Sequence, residues 1–439
     1  MDLWRPTDGT VLLNQLFYTS IYRNSFLSLF ELLVIFIALV LLLHSHVHIK
    51  NAGKAGVFVF AFALLCFVFD LLNPNNDPSA GFLGIPWRYD LSVYVYLLLL
   101  FAVLFVDEVR VAEFLRSVGI AVLLFAFVRG VILLIQWARG EGSHTFYGVN
   151  ATLTEGDTLR LFAALQIITM LVFVIKKNRL CALLSVLFFL IEVLSFRRQS
   201  LLTVIVAIVS ILVWYVFIKN RARVFFKTVL YSLLLAAFGY VSVIGFGLEG
   251  EARIFIDRYF GMFAGERQGF SGDTGHFLES YLTMSEAFAR GRFWGYGVAD
   301  PDAIYIAGAS SDFIVHNVYA AAWLYRGLYL TLFYVSLSGV VLYVLIRLVH
   351  RRRELRHEFL IFQGGVALFF LVTAVSWAFS PINGAESIRM RVLWTLLLAV
   401  VLRIGPLTFD LIFEKPVSAT SREGTKSACR FPPNSRQKI

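Results

Sequence analysis

Two arginines stand side by side in Ser195-Phe196-Arg197-Arg198-Gln199-Ser200, at the junction of two apolar runs, and the pair His316-Asn317 stands just before another such run. Arginine's planar fork grips phosphate oxygens two at a time. An imidazole ionises near neutrality and can take a proton from a hydroxyl group. Together these residue types suit transfer of a group from a phosphate leaving group to a hydroxyl. Each also has a plainer reading: terminal arginines snorkel to lipid headgroups, and a lone histidine is often only a satisfied polar residue. Adjacent helical residues point about 100° apart, so one guanidinium of Arg197 and Arg198 faces any central cavity. Asn317 is placed to orient the histidine or to cap the following helix.

Between these motifs lies a polar island, residues 248 to 315. It carries Arg253, Arg258, Arg267, Arg290 and Arg292 among Asp257, Glu266, Asp273, Glu279, Glu286, Asp300, Asp302 and Asp312. Such a mixed set reads most simply as solvated surface. The spacing of Tyr281, Met284 and Phe288 predicts an amphipathic helix over Glu279 to Ala289. Gly291, Gly295 and Gly297 then read as a flexible segment able to admit a bulky substrate.

The elements that must position these residues are membrane helices. The chain is 59% hydrophobic and 15% charged, with a mean hydropathy of +0.75. A water-soluble fold of that composition would leave too much apolar surface uncovered. Runs long enough to cross a bilayer fall near 26–43, 55–72, 91–106, 115–137, 158–175, 180–196, 201–218, 225–247, 328–348, 359–379 and 389–406. The expected fold is therefore all-α: a polytopic transmembrane bundle of about eleven helices, within one either way, with a single long loop. Residues 1–413 read as one integral membrane domain and 414–439 as a disordered basic tail. No cleavable signal is visible in the first 25 residues, so the first helix is expected to direct insertion.

Positive charge gives the orientation. Connectors after odd-numbered runs carry Lys50 and Lys54; Arg110 and Arg116; Lys176, Lys177 and Arg179; Lys219, Arg221, Arg223 and Lys227; and Arg347, Arg351, Arg352, Arg353 and Arg356. Alternate connectors are poor in them. The N-terminus is therefore expected outside, the C-terminus in the cytoplasm, and the island on the external face. The net charge of +10 reads as topology, with no support for a nucleic-acid partner. Glu31, Arg129 and Glu192 lie in the outer halves of their runs, where each is costly unless paired or facing a polar cavity. The three cysteines imply no disulfide framework.

The order of FRRQSLLTVIVAIV, then GRFWGYG, then HNVYAAAWLYRGLYLTLFYV resembles the O-antigen ligase and polymerase family of bacterial membrane glycosyltransferases, over roughly residues 155 to 350. The resemblance implies a GT-C-like helical fold in the inner membrane with its active site on the periplasmic face. It implies an undecaprenyl-diphosphate-linked glycan donor, a hydroxyl-bearing glycan acceptor, other polysaccharide-assembly proteins as partners, and no metal or other cofactor. His316 matches the motif histidine, the base. Arg198 matches the diphosphate-binding arginine, with Arg197 as its competitor. A second such arginine is Arg258, ahead of Arg253 and Arg267, because His276 stands where members carry arginine. Asn317, Tyr319, His276 and Arg129 would support the site. Arg326 departs from the pattern, since an acid is common at that position. The function expected is a polysaccharide polymerase joining lipid-linked repeat units with inversion. A ligase delivering the glycan to lipid A core or another acceptor, and a transporter or flippase of lipid-linked glycans, are the alternatives.

Overall fold

The computed structural model describes residues 29–75, 81–82, 85–86, 92–139, 144–146, 149–151, 156–195, 198–219, 273–296, 317–379 and 388–413. The helices are α1 (Leu29–Leu43), α2 (Ile49–Leu72), α3 (Tyr96–Phe105, entered through a 3-10 turn, Ser92–Val95), α4 (Glu108–Ala138), α5 (Gly156–Lys176), α6 (Arg179–Leu194) and α7 (Arg198–Lys219). They continue with α8 (Asp273–Arg290), α9 (Val318–Tyr325), α10 (Leu328–His350), α11 (His357–Ser376, extended by a 3-10 turn, Trp377–Phe379), α12 (Ile388–Arg403) and α13 (Pro406–Phe413). Two small antiparallel hairpins complete the described elements: β1 (Gly81–Phe82) with β2 (Ile85–Pro86), and β3 (His144–Phe146) with β4 (Val149–Ala151).

Among the described residues, six helices are long and apolar enough to cross a membrane: Ile49–Leu72, Glu108–Ile135, Leu159–Lys176, Ser200–Lys219, Leu328–His350 and His357–Ser376. Every expected run except 225–247 coincides with a helix, and that run lies outside the described residues. The 91–106 run is helical only over Tyr96–Phe105, and the last run ends at Arg403, ahead of the expected 406. The bundle is apolar inside and out. Val59, Leu100, Leu337 and Phe370 are buried, while Phe36, Phe58, Leu124, Val186, Val213 and Leu342 are exposed. An apolar outer surface of this extent suits lipid and not water, as in a multi-pass membrane protein.

Small residues bring the helices close where lipid gives no hydrophobic drive. Gly364 and Gly365 sit side by side on α11, the first under the ring of Trp214 from α7, the second under Leu171 from α5. Trp214 also donates its indole N–H to the Leu360 carbonyl at 2.9 Å. On α4, Gly130 lets Ile191 of α6 approach.

The bundle has two polar ends of different character. At one, Arg403 is buried and donates to the carbonyls of Asn51, Val103 (3.3 Å) and Val106 (2.6 Å). Glu108 there accepts from Gly405 N (2.6 Å) and Thr408 Oγ1 (2.8 Å). Arg356 pairs with Asp410 at 2.7 Å, Lys219 faces Glu358 at 3.8 Å, and Arg352 lies over Phe217 at 4.9 Å. The basic connectors thus meet at this end.

Candidate functional site

The opposite end is organised by a buried carboxylate. Asp70, in the last turn of α2, is 4% exposed. It accepts from the hydroxyls of Tyr94 and Tyr329 and from Arg326 Nη1, the last at 2.7 Å. Arg326 is 5% exposed and closes α9, so this ion pair fastens α2 and the 92–95 turn to the α9–α10 junction. A buried pair is costly to desolvate and holds only when its remaining hydrogen-bonding sites are filled. The two tyrosine hydroxyls fill acceptor sites that the arginine leaves open. Beside it, the Arg391 guanidinium, 1% exposed, stands 4.9 Å from the ring centre of Tyr94 and 5.1 Å from that of Tyr96. Such cation and ring contacts strengthen out of water.

A strap formed by residues 291–296 is tied onto the same junction. Asn73 Nδ2 donates to the Trp294 carbonyl at 2.7 Å and Asn75 Nδ2 to the Gly295 carbonyl at 2.6 Å. Tyr296 N donates to Leu324 O at 2.7 Å, and Leu328 N to Phe293 O at 3.1 Å. Gly295 (φ 67°) and Gly327 (φ 123°) adopt left-handed backbone where the two segments cross. A side chain on Gly295 would sit 2.6 Å from the Tyr325 carbonyl oxygen, and one on Gly327 would strike that of Phe293. Gly291 is closed over by Trp323. Gly291 and Gly295 therefore serve close packing, which corrects their reading as a flexible segment. Gly297 lies outside the described residues.

Asn317 is the N-cap of α9, its side chain accepting from Ala320 N at 3.0 Å, so the capping reading holds. Tyr319 donates its hydroxyl to the Ala374 carbonyl at 2.7 Å, and its own carbonyl accepts from Thr331 Oγ1 at 2.8 Å. Its ring packs on Trp377 at 6.3 Å. Asn317 thus closes the first turn of α9, and Tyr319 fixes that turn to the far end of α11. His316 precedes this cap directly and, with Arg197 and Arg258, lies outside the described residues.

Arg198 opens α7, and His276 lies in the first turn of α8. The Trp214–Leu360 bond and the Lys219–Glu358 contact show that α7 and α11 run antiparallel. At 1.5 Å per residue, Arg198 stands about 24 Å along the bundle from Trp214, and Trp377 about 25 Å from Leu360 in the same direction. The α7 N-terminus and the Asn317 cap are thus at the same end, opposite the basic connectors. Just before Arg198, the fully buried Glu192 of α6 accepts from Ser200 Oγ at 2.5 Å, which joins α6 to the first turn of α7. Arg129 is half-buried on α4, next to the glycine that packs on α6. Of the other membrane acid expected to need shelter, Glu31, the side chain is 7% exposed.

No protein-family model matches the chain. No curated protein matches it either.

Sequence reasoning passed over Asp70, Tyr94, Tyr329 and Arg391. The available signal was an acid near the end of the 55–72 run and an arginine at the start of the last run, both costly in lipid without a partner. Arg326, noted only as a departure from the family pattern, proves to be the partner of Asp70.

Proposed function

We propose that the chain is a bacterial inner-membrane glycosyltransferase of the O-antigen ligase and polymerase type, with a GT-C-like bundle of about eleven spans. The observation that carries the reading is the common end shared by the α7 N-terminus, which begins with Arg198, and the capped start of α9, which follows His316. The basic connectors gather at the other end, which the positive-inside rule assigns to the cytoplasm. The arginine and histidine motifs then face the periplasm, where nucleotide-activated sugars are absent and a lipid diphosphate is the available activated donor.

In this mechanism Arg198, for which Arg197 is the competitor, and the loop arginine Arg258 stabilise the negative charge that grows on the departing undecaprenyl diphosphate. His316 takes the proton of the acceptor hydroxyl as its oxygen attacks the anomeric carbon from the face opposite the diphosphate. One C–O bond forms, the bond to the diphosphate oxygen breaks, and the configuration inverts. The Asn317 cap and the Tyr319 contact hold the helix behind His316, and the Asp70–Arg326 pair holds the junction behind that helix.

The reading favoured is a polymerase joining repeat units. A strain lacking the chain, analysed by gel for surface glycan, is expected to lose long chains and keep single attached units. Loss of all attached glycan would show a ligase instead. Unchanged chain length and unchanged attachment would remove the transferase reading.

A further inference from the structure

Helix α8 carries two largely exposed aromatic side chains. Thr283 and Ala287 are fully buried, and α8 packs through this side on α9 and the 377–379 turn. Tyr281 and Phe288 are 70% and 71% exposed. Seven residues apart, they share one helix face, opposite the buried one. The strap continues the same surface with Phe293, 47% exposed.

This surface runs into the apolar belt. Phe293 packs edge-on against Phe69 of α2 at 5.6 Å, and Phe288 against Trp323 of α9 at 5.3 Å. Around Phe69, the exposed residues of α2 are Leu65, Val68 and Leu72, the outward side of a helix long enough to span a membrane. The exposed aromatics of α8 and the strap thus prolong a lipid-facing stripe at its polar end. Arg290 and Arg292 lie beside them: Arg290 is exposed and paired with Glu286 at 2.5 Å, and Arg292 lies 4.7 Å over the Tyr296 ring. Aromatic rings next to exposed guanidinium groups match the boundary between acyl chains and phosphate headgroups.

We infer that α8 and the 291–296 strap are seated in the headgroup region of the bilayer, with Tyr281, Phe288 and Phe293 in the acyl boundary and the two arginines level with the lipid phosphates. The occupant of this face is lipid. Lipid on this face is independent of whether the chain transfers sugars.

The test is spin-label accessibility in the full-length protein reconstituted in phosphatidylglycerol and phosphatidylethanolamine vesicles. Single labels are placed by Tyr281→Cys and Phe288→Cys in a background of Cys66→Ala, Cys181→Ala and Cys429→Ala, with Glu354→Cys as a water-facing reference. Oxygen concentrates in the bilayer and a nickel chelate in water. The expected result is an oxygen-to-nickel accessibility ratio several-fold above the reference at both α8 positions. A ratio equal to the reference would show a water-facing helix and overturn the inference. Low accessibility to both reagents would show a protein partner or a second copy on this face, and would equally overturn it. Both labelled positions are exposed; Phe288→Cys gives up the edge contact with Trp323, and agreement between the two positions guards against a local artefact of either.

Discussion

Asp70→Asn removes the charge at the buried junction and keeps its shape. In the native protein the carboxylate accepts from two tyrosine hydroxyls and from Arg326, whose side chain is only 6% exposed. The variant removes the charge that Asp70 sets against that guanidinium, and loss of one partner from a buried pair costs ~3–5 kcal/mol. An Asn amide group also turns an N–H toward one of the three donors, adding about 1–3 kcal/mol for the group left unsatisfied. Arg326→Met should cost less, because Asp70 keeps both tyrosine hydroxyls. The double variant should lose clearly less than the sum of the two, since both singles remove one interaction. The measurement is SDS-titrated unfolding of purified protein in mixed micelles, followed by tryptophan fluorescence. A loss below ~1 kcal/mol for Asp70→Asn, far under the range for a buried pair, would refute the role given to this junction. Strict additivity in the double variant would do the same.

Other substitutions probe the packing around it. Gly327→Ala forces a side chain onto left-handed backbone and into the Phe293 carbonyl, so monodisperse protein should be lost on size exclusion, whereas Gly339→Ala, with open space around it, should be tolerated. Asn317→Ala should cost ~0.5–2 kcal/mol as a lost cap, and Asn317→Asp should restore most of it; the same unfolding titration reads both. Gly364→Ala drives a methyl into the Trp214 ring and should destabilise by ~1–3 kcal/mol through overpacking, with a shift in tryptophan emission as the α7–α11 contact opens.

What could be read from sequence followed what is local. Hydropathy runs are local, and they gave the helices. An N-cap is local too, and Asn317 was legible because its partner, Ala320, is three residues away. The Asp70–Arg326 pair was not, since 256 residues separate its members and no spacing rule joins them. Arg326 could be seen only as a basic residue where an acid was expected; the acid is supplied by another helix. The glycines of GRFWGYG misled for a related reason. A glycine permits flexibility and close approach alike, and only the crossing strand of backbone, Tyr325 to Gly327, decides between them. Glu192 was legible as a costly acid, and its shelter is Ser200, within the motif that carries Arg197 and Arg198.

In the proposed function, Arg198 and His316 serve transfer of a glycan from a lipid diphosphate. Its most direct test is purified protein in detergent with an undecaprenyl-diphosphate-linked oligosaccharide repeat unit, the products resolved by length on a gel. The expected result is a ladder of longer lipid-linked chains with release of undecaprenyl diphosphate, abolished by His316→Ala and by Arg198→Ala in protein that elutes like the native form. A full ladder from either variant would contradict it.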